Sequence, residues 1–384
     1  MTDTNSKAAD DGATQTGTEP AKRSPVAHLM HLTRTRLPGI VLAFVIASVG
    51  AALFVYLSAP LPIFLGALTA SMIASIVGVP IKRPRSLSTP IRVVLGLAIG
   101  AAFTPALLDR IDELAISLAL VVPFTAAITA AGYAFYRYVA GFDAPTSFFV
   151  SVPGGLTDMV FMAKDAGANE RMVTLMQAVR MVLIVFAIPV WVAWTSDLPV
   201  GGAVLDTIHI WEIAPLDAAM LIVLGIVGWR VARWLGILGA AMIGPMMLSG
   251  AAHATGLTAA QVPSELLILA QLVLGILLGG QFRGLTMDEF TRWVSWALAF
   301  SVGLMIVAIW VATMVTQLTG ADAVSVLLAY TPGGQSELNL LAIILQLDVA
   351  FIALHHIVRV AVSIVGAQLV FSASRDAWRR ARDG

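Results

Sequence analysis

Long apolar runs separated by short polar connections dominate the chain. A helix needs about 20 mainly apolar residues to cross a hydrocarbon layer. Ten runs approach that length: roughly 39–57, 62–79, 91–107, 114–136, 172–194, 216–229, 237–256, 265–280, 293–318 and 350–372. Residues 1–24 are small and polar with nothing to bury, and the stretch to position 38 is expected to be a disordered tail. It is not a cleavable signal, because a mostly polar segment of this length precedes a full-length apolar run.

Composition sharpens the picture. Hydrophobic residues make up 58% of the 384 positions and charged residues 12%, with a mean hydropathy of +0.88; soluble domains carry roughly 25% charged residues. The expected class is an all-α polytopic membrane protein. The 23 basic and 23 acidic side chains cancel, so net charge points to no nucleic-acid partner and their placement matters more. With no cysteine there is no disulfide, thiolate metal site or cysteine nucleophile.

Lys and Arg stay on the cytoplasmic side of membrane proteins. With the N-terminus inside, every Lys and Arg except Arg110, Arg180 and Arg359 falls in the tails or in cytoplasmic connections. The connection from Thr195 to Pro215 carries Asp197, Asp206 and Glu212 and no basic residue, as an outside loop should. The expected topology has ten spans with both termini cytoplasmic, in a bacterial inner membrane.

Two segments stay outside these spans, about 144–163 and 323–345, and they share a motif: VPGGLTD at 152–158 and TPGGQSE at 331–337. Proline removes an amide donor and glycine relaxes backbone restrictions, so each Pro-Gly-Gly ends one short helix and lets another begin. Irregular backbone at membrane depth must be buried in protein or line a polar cavity. Arg137 and Lys164 flank the first segment on the inside, Asp322 and Asp348 the second on the outside. Each is expected to dip in and return, from opposite faces.

A spacing of 179 positions pairs Gly154 with Gly333, Gly96 with Gly275, Gly100 with Gly279, Phe103 with Phe282, Asp158 with Glu337, and Arg180 with Arg359. A spacing of 178 pairs Gly66 with Gly244 and Gly78 with Gly256. The chain therefore reads as a tandem duplication. Five spans per half place the second copy upside down, giving two inverted five-helix repeats with opposed re-entrant hairpins, an arrangement typical of secondary transporters. The expected divisions are the 1–38 tail, a first repeat over 39–194, an outside linker over 195–214, a second repeat over 215–372 and a basic tail over 373–384.

The candidate site follows from the breaks. Pro153, Gly154, Gly155, Pro332, Gly333 and Gly334 would free the amides of the following helix starts, which with the helix dipole favour an anion or polar group. Thr157 and Ser336 are placed to cap those starts. Asp158 and Glu337 sit in the first turns, where a carboxylate stabilises its own helix by about 0.3–1 kcal/mol; the alternative is that they meet substrate, ion or a buried cation. Arg180 and Arg359 lie within spans, where a lone Arg costs about 2.5–3.5 kcal/mol on insertion scales, so they should face protein. Pairs Asp158–Arg180 and Glu337–Arg359, or their cross-repeat versions, either brace the hairpins or exchange partners with the solute. Gln177 and His356 each precede an Arg by three positions and share its helix face; His356 is a proton carrier or a buried hydrogen-bonding partner. Gln335 and Asn339 make the second tip more polar than the first, where Leu156 and Val160 stand in their places. GLAIG at 96–100 and GILLG at 275–279 are close-packing signals.

The duplicated halves, the PGG-x-[ST]-[DE] segments and the following helices LMQAVRMV and ALHHIVRV resemble the AbrB family of bacterial membrane proteins over essentially residues 39–372. That family is labelled variously as ammonia monooxygenase, regulator of AidB expression, or transporter. The first copy departs slightly, with Val152 for Thr331 and Asp158 for Glu337. A monooxygenase needs oxygen-activating metal ligands, and the scattered His28, His31, His209 and His253 supply no set. A DNA-binding regulator needs a soluble helix-turn-helix, absent from these connections, and no G-x-x-x-x-G-K-[ST] sequence supports ATP-driven transport. The expectation is a non-enzymatic secondary transporter of a small polar or anionic solute, needing no cofactor, with Na⁺ or H⁺ as coupling ion and homo-oligomerisation open. A membrane-embedded regulator acting indirectly or through a partner is the alternative.

Overall fold

In the computed structural model, which describes residues 25–195 and 208–383, with the backbone alone at 25–36, 106, 108–109, 111, 156–158, 375–377 and 379–383, every element is a helix. The first series is α1 (Pro25–Tyr56), α2 (Pro62–Val77), α3 (Ser88–Gly100), α4 (Ile111–Ala134), α5 (Ala144–Ser151), α6 (Leu156–Asp165) and α7 (Glu170–Thr195). The second is α8 (Pro215–Trp234), α9 (Ala240–Ala254), α10 (Ser264–Gly279), α11 (Met287–Glu289), α12 (Ser295–Thr319), α13 (Ala323–Tyr330), α14 (Gln335–Ile344) and α15 (Val349–Asp383). Met1–Pro38 is one unit and Gly39–Gly384 another. The tail expected to be disordered lies outside the described residues up to Ser24, and from Pro25 the backbone is helical. Most of the expected 195–214 linker is likewise outside them.

Among the described residues, seven helical stretches are long and apolar enough to cross a membrane: Leu37–Tyr56, Asp112–Val139, Glu170–Thr195, Pro215–Trp234, Ser264–Phe282, Met287–Thr319 and Val349–Ser374. The other three expected spans fall on α2, α3 and α9, which have 16, 13 and 15 residues. At 1.5 Å per residue they are roughly 20–24 Å long. Local chemistry cuts them short. Gly78 ends α2 at φ 89° with its amide on the Ala74 carbonyl, Gly239 opens α9 at φ 72°, and Pro105 begins a separate 3-10 turn after α3.

Short helices need close partners. In lipid, helix association rests on packing rather than on water exclusion, so glycines that let backbones meet carry much of it. A Cβ on Gly50 would run into the Gly66 carbonyl and one on Gly66 into the Gly50 carbonyl; Gly228 and Gly244 stand in the same relation. The GxxxG glycines behave as expected: Gly96 lies on the Met242 carbonyl, Gly100 would put a Cβ 2.6 Å from Ser249 Cβ, and Gly279 one 2.6 Å from the Leu68 carbonyl. These contacts join α2 to α10, α3 to α9 and α8 to α9, while α4, α5, α7, α12, α13 and α15 pack among themselves; α14 and α15 reach α3.

Each pair of short helices folds back on itself. Asp143 caps α5 through the Thr146 amide at 2.8 Å, and Asp322 caps α13 through the Ser325 amide at 2.7 Å. The hydroxyl of Thr146 accepts from the Asn169 amide at 3.0 Å, and that of Ser325 from the Asp348 amide at 3.2 Å. The chain leaving α6 thus returns to the start of α5, and the chain leaving α14 to the start of α13. Every one of these positions recurs 179 residues later.

Ion pairs clamp both returns to a neighbouring long helix. Arg110, the cation that the charge pattern leaves on the outside, holds Asp348 at 2.6 Å and Glu113 at 2.7 Å, and these partners, Glu113 foremost, keep its guanidinium above the ordinary arginine range. Arg171 holds Glu289 at 2.5 Å and donates to the Gly284 carbonyl at 2.6 Å. Exposed pairs stabilise by about 0–1 kcal/mol. Asp348 also caps α15 through the Phe351 amide at 3.0 Å. Asp348→Asn, which keeps a capping oxygen, should cost about 0.5–1 kcal/mol, and Asp348→Ala about 1 kcal/mol more; thermal unfolding of the two variants in detergent measures the difference.

Candidate functional site

Both breaks are extended backbone followed by a new helix. The glycines opening the second helices have ordinary angles, Gly155 at φ −64° and Gly334 at φ −68°, and none of the four is at positive φ. The expected reason for glycine, unusual backbone angles, gives way to space. A Cβ on Gly154 would be 2.9 Å from Met159 Cε, one on Gly333 2.8 Å from Leu338 Cδ1, and one on Gly334 would strike the Glu337 carboxylate. Pro153 and Pro332 are buried at the breaks.

That carboxylate folds back over Gly334 at the start of α14, as a first-turn acid does when it caps its own helix. Ser336 does not cap. It is already inside α14, whose cap residue Gly334 has no side chain to offer, and its hydroxyl is 3.9 Å from Met242 Sδ on α9. The side chains of Thr157 and Asp158 lie outside the described part of the structure; the cap residue of α6 is Gly155, which again offers none.

Among the described residues, the two arginines inside the candidate spans take carbonyls rather than carboxylates. Arg359, 1% exposed, donates through Nη1 to the Thr331 carbonyl and through Nη2 to the Gly333 carbonyl at 3.2 Å. Arg180, 4% exposed, donates through Nη1 to the Val150 carbonyl at 3.3 Å. Neither belongs to an ion pair among the described residues, so the expected Glu337–Arg359 pair does not form. α13 ends at Tyr330, and past that point the break has carbonyls with no helical partner; a guanidinium fork satisfies two of them.

Their neighbours follow the 179-residue spacing closely. Gln177 Nε2 donates to the Phe149 carbonyl at 2.8 Å, and the equivalent His356 Nε2 lies 3.0 Å from the equivalent Leu328 carbonyl. The other ring nitrogen of His356 is 3.3 Å from Asn339 Nδ2, which also donates to the Gln335 carbonyl at 2.8 Å. Gln335 is half-buried. Several buried polar atoms here have no partner among the described residues: Arg180 Nε, Arg359 Nε, Gln177 Oε1, Asn339 Oδ1 and Gln335 Nε2.

One cluster is not anticipated from the sequence. His355 Nε2 is 2.7 Å from the Ser117 hydroxyl, His355 Nδ1 2.7 Å from the Phe351 carbonyl, and Tyr330 donates to the Ser117 carbonyl at 2.6 Å. It ties α4, α13 and α15 beside the second break. A serine inside an apolar run carries no signal of such a role, although a His-His pair within a span invites a search for two partners.

Fold and site together define a class: a helical protein with several helices long and apolar enough to cross a membrane and two hairpins, each broken at Pro-Gly-Gly and held by a buried arginine. Residues 63–374 match the family model described as "Transition state regulatory protein AbrB", and the chain belongs to this AbrB family. It is similar to "Putative regulator AbrB" of Escherichia coli (strain K12), with 26% identity over 304 residues, 78% of this chain and 86% of that one. It is also similar to "Uncharacterized protein YhjN" of Bacillus subtilis (strain 168), with 26% identity over 284 residues, 70% of this chain and 73% of that one.

Proposed function

We propose that this chain is a secondary transporter of a small polar or anionic solute, working by alternating access in the bacterial inner membrane and catalysing no reaction. In this reading the halves are inverted repeats, and α5–α6 and α13–α14 are re-entrant hairpins entering from opposite faces. Both termini are cytoplasmic. The amide-to-hydroxyl hydrogen bonds that close the two hairpins, repeated at one spacing, support the duplication. At eight and ten residues the hairpin helices are about 12 and 15 Å long, about half of a hydrocarbon layer.

The observation that carries the solute is the pair of buried guanidiniums whose charge no carboxylate neutralises among the described residues. An ionisable side chain buried at membrane depth marks a functional site by default, and the helix starts beside these two favour an anionic ligand. Na⁺ or H⁺ supplies the driving force without a cofactor, and assembly with further copies is compatible with this scheme. Untargeted metabolite profiling of cells with and without the protein tests it. A polar solute should change in level on deletion and return with wild type, but not with correctly inserted Arg359→Ala or Glu337→Ala. Wild-type behaviour of both variants toward every solute would remove the assignment. The printed name of the Escherichia coli relative supports a second reading, a membrane-embedded regulator; that reading predicts altered gene expression without any flux difference.

A further inference from the structure

The unpartnered atoms at the two breaks differ in kind, and that difference bears on what the site holds. Arg180 Nε, Arg359 Nε and the Gln335 amide nitrogen are donors; Gln177 Oε1 and Asn339 Oδ1 are acceptors. Gln177 and Asn339 are fully buried at 0% exposure. Their orientations are fixed, because the nitrogen of each amide is already spent on a backbone carbonyl. The oxygens are therefore the free ends, and only an O–H or N–H group satisfies them.

The two half-sites approach one another. Gln177 and Arg180 share a face of α7. Gly333, whose carbonyl Arg359 holds, lies against Ile184, one helical turn beyond Arg180: a Cβ on Gly333 would be 3.4 Å from Ile184 Cγ2. Asn339 joins the second half-site through His356, three residues before Arg359 on α15.

Building on the transporter reading, we propose that the site takes a small organic monocarboxylate carrying at least one uncharged O–H or N–H donor, with 2-hydroxy monocarboxylates as the type. The carboxylate meets the arginine Nε groups and the helix starts; the hydroxyl meets Gln177 Oε1 or Asn339 Oδ1. Each part excludes a competitor. Sulfate satisfies the cations but has no proton for the amide oxygens. A plain carboxylate such as propionate leaves those oxygens unpaired, and sites built to hydrogen-bond a hydroxyl reject analogues that lack it. An α-amino acid brings an ammonium group toward two guanidiniums.

The test uses the full-length chain purified in detergent, with binding of lactate, glycolate, propionate, glycine and sulfate measured by calorimetry at constant ionic strength. Lactate or glycolate should bind roughly 10-fold more tightly than propionate, as expected when a buried acceptor is left unpaired, and more tightly than glycine or sulfate. Gln177→Leu together with Asn339→Leu should erase the preference over propionate while retaining carboxylate binding, and Arg359→Lys should weaken lactate and propionate alike. Propionate or sulfate binding as well as lactate in the wild type overturns the assignment, as does the absence of binding by the whole panel. If the panel fails while metabolite profiles still differ between wild-type and deletion cells, only the substrate class falls; if neither shows an effect, the transporter reading falls with it.

Discussion

Arg359→Met should abolish solute movement while leaving the folded protein within about 2 kcal/mol of wild type. The argument weighs two effects of similar size. Burying a guanidinium costs several kcal/mol, and replacing it with an apolar side chain of like volume removes that cost. Against that, Thr331 and Gly333 lose a charged donor to their carbonyls, at about 1–3 kcal/mol each. Because the terms oppose, stability should move little even though the site loses a cation. A pure brace predicts the reverse, a loss above 4 kcal/mol with transport retained in whatever protein survives. Thermal unfolding in detergent and uptake into vesicles, measured on one preparation, separate the two. The same change at Arg180, which makes one longer bond, to Val150 at 3.3 Å, should disturb stability less.

The contrast between expected and observed partners for these arginines shows what a sequence carries. Pro-Gly-Gly twice at one spacing announces the breaks, and the positions of Gln177, Arg180, His356 and Arg359 announce helices that face them. What attracts the guanidinium does not show, because a carbonyl released by a break belongs to no particular side chain. A carboxylate three residues on, Glu337, is the visible candidate, yet it turns back over Gly334 because its own helix start is nearer. Glycine misleads in a related way. At 154, 155, 333 and 334 it looks like a demand for unusual angles, and the angles of Gly155 and Gly334 are ordinary; at 154, 333 and 334 the constraint is a neighbouring side chain, visible only in three dimensions. Glycines at 78 and 239 do take positive φ, and there they shorten helices that hydropathy alone extends to full spans. The Ser117–His355–Tyr330 cluster is silent for a third reason: its members are distant in the chain and one is a serine in an apolar run.

Gly244→Val is expected to be the most damaging single change in the packing, a loss of more than about 4 kcal/mol, in the range that only a few mechanisms reach. The Cβ would land on the Gly228 carbonyl and lie 2.6 Å from Ala232 Cβ and 2.7 Å from the Gly228 carbonyl carbon. Two of those obstacles are backbone atoms of α8, so no side-chain rotation relieves the contact; the helices must separate. α9 has little room to retreat, since its Met242 carbonyl already bears on Gly96 of α3. With no water to expel, association in lipid depends on that close fit, so a separated pair forfeits most of what joins it. The disturbance also has a route to the site: α9 touches Ser336 through Met242, and α3 packs on α14. Gly366→Ala is the control, because a Cβ there meets nothing within 4 Å and alanine favours a helix by about 1 kcal/mol over glycine. Membrane accumulation, thermal midpoint and lactate binding should all fall for Gly244→Val and hold for Gly366→Ala, whereas equal behaviour of the two proteins would mean that α8 and α9 are not in backbone contact.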